Sequence, residues 1–375
     1  MYKINKTDMQ TIVNGASFLA SGGGGGVASA LDVIDNITHF SNEVSVVGVE
    51  ELHSGDELLV ICGVGAPDAP NLNFNYSAGF GLTGLQEMSG KTFSHVLPIE
   101  VGAMNSMIPL LACAQYNIPF VDGDGAGRSV PQMSMCSYAL KGFPTQETLV
   151  VSETDVQFPL HPANARQMER DVRKVVSNEL HNAGTVATWP ISAQQLTAPA
   201  AFVPGSLSLA RSLGVAMATQ NPLEGVRAII GNFYADNRII TRKGRVIAAT
   251  NKVEDGFDVG TITVQDEAGM TVRLYFVNES LFATIDYHGQ PSAFILGPDM
   301  ICCMGVDGTP MTNSEICSRF ESKQSIEICL LWVKALDTIR TPGMFFQYLT
   351  LLTQKFSSAS WSGYTFIEDI PDLLD

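Results

Sequence analysis

The chain has 375 residues, 45% hydrophobic and only 16% charged, so it carries enough apolar content for a sizeable core and more length than one average domain. Its 38 acids against 22 bases give a formal charge of −16, which excludes the basic surface that nucleic acid demands and disfavours an anionic membrane face. No uninterrupted apolar run is long enough to span a bilayer, and no signal-peptide core precedes Gly22, so a cytoplasmic globular protein is expected.

Thr7-Asp8-Met9-Gln10 has capping-box spacing, and Met9, Ile12, Val13, Ala16, Leu19 and Ala20 follow helical periodicity, which predicts a first helix. Ser21 and five glycines end it, and VASALDVID opens a second. Val44–Val49 and Glu57–Val64 are β-rich, the latter nearly continuous in apolar residues as a buried parallel strand would be. Residues 71–90 read as a Gly/Asn-rich loop. Val96–Val101, a helix opening near Asn105, and strands at Ile118–Val121 and Thr148–Ser152 follow. This alternation predicts an α/β fold, with a three-layer α/β/α N-terminal domain over residues 1–165.

Ala163–Ala183 reads as an amphipathic helix and residues 206–230 as two shorter ones, so 166–235 is taken as a helical connection. From about Arg238 to Val333 the runs are short and β-rich (RVIAAT, GTITVQ, MTVRLYFV, LFATIDY, DMICCM, SIEICLLWV), with a hairpin turn at Gln265–Gly269. They predict a β-barrel-like domain over 236–339. The tail holds one helix, MFFQYLTLLTQ, before an aromatic coil. Because Phe, Tyr and Trp avoid water, residues 340–375 are expected to return to the first domain.

The seven cysteines (Cys62, Cys113, Cys136, Cys302, Cys303, Cys317 and Cys329) are odd in number and form no CxxC pair. Most lie in apolar strings, as small hydrophobes in a reducing compartment do. Adjacent Cys302 and Cys303 put one thiol on each face of a strand and read as packing. Of the six histidines, His39, His53, His181 and His288 read as surface residues, and His95 and His161 lie near segment boundaries. Neither a zinc signature nor a Gly-x-Ser-x-Gly elbow is present.

Most of the persuasive chemistry lies between Pro98 and Pro131. Glu100 sits in the apolar string LPIEVGAM, where a carboxylate must be paired or have its pKa raised, the circumstance that makes a general base. The competing reading is a buried salt bridge, with Arg128 as partner. Asp122-Gly-Asp124-Gly leaves a strand end with two carboxylates that can supply a base or hold a divalent cation; an Asx-turn pair is the plain alternative. Arg128 either neutralises these acids or forks onto a substrate carboxylate. Asn105 is by default a helix N-cap and otherwise a substrate contact. The turn Ser21, Gly22, Gly23, Gly24, Gly25 precedes a helix and exceeds the glycine content a turn requires, so its amides are expected to approach an anion or carboxylate.

These residues resemble the S-methyl thiohydantoin desulfurase family. The matching stretches are ASGGGGG, PIEVGAMNS, IPFVDGDGAGRSVPQ, GFDVGTITV, FVNESLFA and GPDMICCMGVDGTPMTN, in the family's order and across most of the chain. Ala103 stands where the pattern leads one to expect a glycine, and Ser129-Val130 where it leads one to expect Ala-Phe. The resemblance implies a three-layer α/β domain, a β-barrel-like domain and a cytosolic hydrolase of hydantoin-like rings, often found beside hydantoinase-type enzymes. Water would add to the ring carbon bearing sulfur and a thiol would leave.

On this chain residue chemistry then assigns Asp122 or Glu100 as base, with Asp124 as its partner or a metal ligand. Asn105 and Arg128 orient a small-molecule substrate, the Ser21–Gly25 amides bind it, and Asn278 and Glu279 close the site from the second domain. No cofactor is required by this reading, although Asp122 and Asp124 leave a divalent metal open. The protein is expected to be a homo-oligomer. The alternatives are a non-catalytic binding or accessory subunit of a hydantoinase-type enzyme, and a divalent-metal-dependent hydrolase of another small polar substrate.

Overall fold

The computed structural model describes residues 1–65, 74–180, 183–233, 239–287 and 290–356. The chain opens with β1 (Tyr2–Asn5), α1 (Lys6–Leu19), α2 (Val27–Phe40), β2 (Glu43–Val47) and β3 (Glu57–Gly65). The cap of α1 is Asn5, whose side chain accepts from the Asp8 amide while Asp8 returns the bond. The capping box therefore starts two residues before the Thr7 expected from spacing, because β1 runs straight into the helix. Next come α3 (Ser77–Ser89), β4 (His95–Pro98), α4 (Ala103–Tyr116), β5 (Phe120–Val121), β6 (Gly123–Asp124), α5 (Ser137–Leu140), β7 (Thr148–Val151) and β8 (Gln157–Leu160). Residues 77–89 are thus helical, not loop. The first part ends with α6 (Ala165–Glu179), β9 (Ala183–Ser192), α7 (Ala193–Leu196), β10 (Val203–Pro204), α8 (Ser206–Met217) and α9 (Pro222–Phe233).

Eight of these strands form one sheet in the order β1-β2-β5-β4-β3-β9-β7-β8. The central β2, β5, β4 and β3 run parallel, and antiparallel strands flank them on both sides. Strand β3 shows why the sheet is covered on both faces. Leu59 and Ile61 point into the core made with α1, α2, α3, α4 and α8, whereas Leu58, Val60 and Cys62 enter the core beneath α6. Both faces are apolar, so both need helices. The stretch 166–235, expected as a helical connection, is built into this domain: α6 covers one face, β9 pairs with both β3 and β7, and α8 packs on α1.

The second sheet comprises β11 (Ile239–Glu254), β12 (Phe257–Gln265), β13 (Thr271–Val277), β14 (Glu279–Tyr287), β15 (Gln290–Leu296), β16 (Met300–Gly305) and β17 (Glu327–Val333). Its order is β15-β14-β13-β12-β11-β17-β16, an antiparallel curled half-barrel in which, among the described residues, no ladder joins β15 to β16. The hairpin at Gln265–Gly269 is present, with Gln265 opposite Thr271. The helix α10 (Asn313–Glu321) precedes β17 and its Ile316 and Cys317 enter the half-barrel core.

One face of β16 and β17 (Met300, Cys302, Met304, Leu331) joins the core of the first domain, and the other face (Ile301, Cys303, Leu330, Trp332) fills the half-barrel. All seven thiols are free and buried, and Cys302 and Cys303 do face opposite sides as their adjacency implies. The described part of the tail, α11 (Pro342–Lys355), lies where Met344, Phe345 and Tyr348 meet Phe282 and Leu296 of the second sheet and Ala126, Val130 and Met135 of the first domain. Residues 357–375, and with them the aromatic coil, lie outside the described residues, as do His181 and His288. Among the described residues no helix is long and apolar enough to cross a membrane.

Candidate functional site

A cleft of about 700 Å³, open solvent at its mouth included, lies where the two domains meet. The carboxyl ends of the parallel neighbours β3 and β4 contribute Cys62–Gly65, Ile99 and Glu100. This is the edge of an α/β sheet at which ligands bind, because strands stop there and helix N-termini begin. Met104, Asn105 and Ile108 come from α4, Gly24 and Gly25 from the glycine turn, and Val130, Pro131 and Met133 from the loop after β6. Arg173 enters from α6, and Asn278 and Glu279 from the reversal between β13 and β14.

Glu100 is 4% exposed. Its Oε1 accepts from Asn105 Nδ2 at 2.7 Å and its Oε2 from the Val130 amide at 2.6 Å. Burial, and then the neighbouring Glu279 charge, push its pKa well above the carboxylate range. Glu279 is 3% exposed; its Oε1 accepts from the Gly24 amide at 3.3 Å, and its Oε2 has no hydrogen-bond partner among the described residues. Burial raises its pKa too, against the pull of the Arg128 guanidinium. Two buried carboxyls that line one cleft and titrate as a coupled pair are suited to acid–base chemistry. Cys62 is a buried thiol whose pKa is raised by burial and then by Glu100, so it is neutral in this setting.

Asn105 does not cap α4. The helix already starts at Ala103, and Asn105 instead bridges the Gly63 amide (2.8 Å) and Glu100, fixing the carboxyl against β3. Asn278 has the left-handed φ of +56° at the β-reversal, and its Oδ1 accepts from the Asp258 amide at 2.9 Å. It lines the cleft while shaping the turn that presents Glu279.

The glycine turn is an interdomain contact as much as a binding surface. The Ser21 and Gly22 carbonyls accept from the Ser280 and Asn313 amides, at 2.8 and 2.9 Å. Ser21, Gly22 and Gly23 therefore lie behind the cleft; only Gly24 and Gly25 line it. The carboxylate that the turn was expected to approach is the protein's own Glu279. A Cβ at Gly23 would fall 2.0 Å from Glu279 Oε1 and one at Gly24 2.8 Å from Gly102 Cα, and Gly22, Gly24 and Gly25 all have positive φ. Close approach and backbone conformation together explain the run.

Three expected site residues point elsewhere. Asp122 stands at the carboxyl end of β5, but its Oδ1 accepts from the Leu207 and Ser208 amides at 3.0 and 3.2 Å, and its Oδ2 from the Tyr2 and Ser208 hydroxyls. It caps the N-terminus of α8 across the fold, which leaves it no base or metal role in the cleft. Asp124 makes the Asx-turn: its Oδ1 accepts from the Ala126 and Gly127 amides. Its pKa is raised to about 6 by burial, opposed by those amides. Both Asp122 oxygens are thus engaged by amides and hydroxyls, whereas Asp124 Oδ2 has no hydrogen-bond partner among the described residues. Among the described residues no group of three or more His, Cys, Asp or Glu side chains is arranged to hold a metal. Arg128 is fully buried and donates to main-chain carbonyls of Ser129, Ser280 and Asp299, so it grips the second domain and not a ligand. His95 sits by Ser94 and Asp56, His161 by the Gln146 carbonyl, and neither lines the cleft.

Arg173 has no distinguishing sequence signal, since it stands among other bases on an amphipathic helix. In the fold it pairs with Glu169, donates to the Pro131 carbonyl at 2.8 Å and stacks 3.9 Å from the Phe257 ring centre. Glu279, expected with Asn278 to close the site from the second domain, does line the cleft, and like Glu100 it is an acid in an otherwise apolar string, FVNESLFA.

Two family models match most of the chain. The model of the S-Me-THD-like N-terminal domain matches residues 7–160, and that of the S-Me-THD-like C-terminal domain residues 163–321. A crystal structure of a protein from Chromobacterium violaceum has the same fold, with a TM-score of 0.79 at 23% identity over 97% of this chain and 99% of that one. No curated protein matches the chain.

Proposed function

The chain belongs to the S-Me-THD-like family, and from that premise we propose that it is a hydrolase of a small cyclic amidine-like ring, of which an S-methyl thiohydantoin is the leading candidate. The observation that carries the reading is the pair of buried carboxyls, Glu100 from the first domain and Glu279 from the second, lining one cleft. In the proposed reaction the ionised member takes a proton from water as its oxygen bonds to the ring carbon bearing sulfur. The protonated member supplies a proton to the ring nitrogen, where charge would otherwise accumulate. Collapse of the tetrahedral carbon breaks the C–S bond; methanethiol leaves with one proton, and the ring carbon becomes a carbonyl. Asn105 holds Glu100 in place, and the Gly24 amide holds Glu279.

The test is thiol release from S-methyl thiohydantoins by the purified protein. Glu100→Gln and Glu279→Gln should each lower kcat by roughly 10²–10⁴-fold, the usual contribution of a general acid or base. Wild-type turnover should follow a bell-shaped pH profile whose limbs belong to the pair. Full activity in both glutamine variants would remove the assignment, and tight binding without turnover would favour a binding or accessory role.

A further inference from the structure

Hydrogen-bond donors are unevenly divided between the two cleft carboxyls. The Gly63 amide can only donate, so Asn105 Oδ1 accepts from it and Asn105 turns its Nδ2 to Glu100. The Val130 amide can likewise only donate, and it holds the other Glu100 oxygen at 2.6 Å. Both Glu100 oxygens therefore meet fixed N–H groups, an arrangement that favours the carboxylate. Glu279 has one such partner, the Gly24 amide at 3.3 Å. Its Oε2 is buried in the cleft wall with no hydrogen-bond partner among the described residues, which leaves that oxygen free to carry a proton. Of the surrounding cations, Arg128 donates to the Ser129, Ser280 and Asp299 carbonyls, and Arg173 of α6 to Glu169 and the Pro131 carbonyl. Their fields pull Glu279 toward ionisation, and Asp124 pushes Glu100 away from it, but none of the three makes a hydrogen bond to the pair among the described residues. Two donors at contact outweigh fields without contact, and both are on Glu100. The Cys62 thiol of β3 and the Tyr348 hydroxyl of α11 are raised by burial and stay neutral.

We propose that Glu279 Oε2 carries a proton and offers it to the ligand, while Asn105 and the Val130 amide hold Glu100 ionised. The ligand so selected presents a ring nitrogen with a lone pair beside the reacting carbon, as an S-methylated C=N ring does. A ring with N–H at that position sets donor against donor. The inference rests on the acid–base reading of the pair given above, with Glu100 as base and Glu279 as acid. Glu100 takes one proton from water as the oxygen bonds to the ring carbon, and the C=N electron pair moves to nitrogen, which takes the Glu279 proton. On collapse the new hydroxyl returns its proton to Glu279, the C–S bond breaks, and the leaving sulfur takes the proton held by Glu100. The product ring now has N–H where the substrate had a lone pair, so the restored Glu279 proton disfavours it and promotes its release.

Calorimetry on the full-length protein at neutral pH tests this with two rings that have no thiol to lose. One is an imidazolone whose ring carbon carries ethyl in place of methylthio and keeps the C=N; the other is the hydantoin with the same side arm, which has N–H there. The imidazolone should bind at least about tenfold more tightly, since a donor left facing a donor is rejected. A glutamine reproduces a protonated carboxyl, with one oxygen to accept and an NH₂ to donate. Glu279→Gln should therefore keep imidazolone affinity within a few-fold and melt close to wild type. Glu100→Gln places an NH₂ against the Val130 amide or Asn105 Nδ2, so it should melt below Glu279→Gln. Equal or tighter binding of the hydantoin overturns the proposal, as does loss of imidazolone affinity in folded Glu279→Gln or a Glu100→Gln that melts above it. Should Glu100→Gln fail to fold, the ring preference and the Glu279→Gln affinity decide alone. The expected preference in a protein that releases no thiol sinks the hydrolase reading and leaves the proton on Glu279. Thiol release with the hydantoin preferred does the reverse.

Discussion

Asp122 takes two main-chain amides at the start of α8 and the hydroxyls of Tyr2 and Ser208, so one carboxylate ties the N-terminal strand, β5 and α8 together. Helix N-termini attract such a group because their first amides lack partners and carry partial positive charge. Asp122→Asn should therefore cost about 1–3 kcal/mol of stability, read as a lower urea midpoint, because a charge-assisted acceptor is lost at a buried site. Thiol release per folded molecule should stay within a few-fold of wild type. An inactive but equally stable variant would return Asp122 to the chemistry. Seen from sequence, Glu100 and Asp122 are both acids at strand ends. What separates them is which way the side chain turns, and that depends on segments more than 80 residues away.

At the scale of elements, α3 was hidden by its own glycines. Gly79, Gly81 and Gly84 lower helix propensity, yet they let the helix lie close on the sheet and on α4: a Cβ at Gly84 would come 2.6 Å from Leu149 Cδ2 of β7, and one at Gly79 2.2 Å from Gln115 Oε1 of α4. Burial of Ala78, Leu82 and Leu85 then outweighs propensity. Gly84→Leu improves the propensity but overpacks this contact, so it should destabilise by about 1–3 kcal/mol in chemical denaturation. A more stable variant would show that the helix is held by local preference. Strand β9 was missed for the opposite reason. GTVATWPIS contains a proline, which argues against a central strand, but β3 and β9 carry a register irregularity between Leu59 and Val60 that accommodates Pro190.

For the whole molecule, Glu100, Glu279 and Asp124 all have native pKa values raised mainly by burial. Unfolded carboxyls titrate near about 4. Between that pH and the native values the folded state keeps protons that the unfolded chain has released, so stability from these groups is fully present below about pH 4 and declines as pH rises. Asp124 contributes its decline up to about 6, and the cleft pair extends it toward neutral pH. Glu279→Gln removes one such group and should flatten the fall of Tm between pH 5 and 8 relative to wild type. An unchanged fall would mean that Glu279 is ionised without cost in the native cleft. The same domain junction that imposes this cost joins Glu100 to Glu279, so lowered stability and the proposed chemistry share one origin.

Composition, period and glycine placement were sufficient for the three-layer domain, the β-rich second domain and the buried thiols, because burial patterns repeat along neighbouring residues. That Asp122, Asp124 and Arg128 lie outside the cleft lined by Glu100 and Glu279 was decided only by the tertiary structure. Asp122 and Asp124 are consumed by local amides and a distant helix start, Arg128 by carbonyls of the other domain, while Glu279 and Arg173 arrive from segments over 70 residues from Glu100 in sequence. Side-chain direction and domain apposition are long-range properties, and no spacing within a segment encodes them.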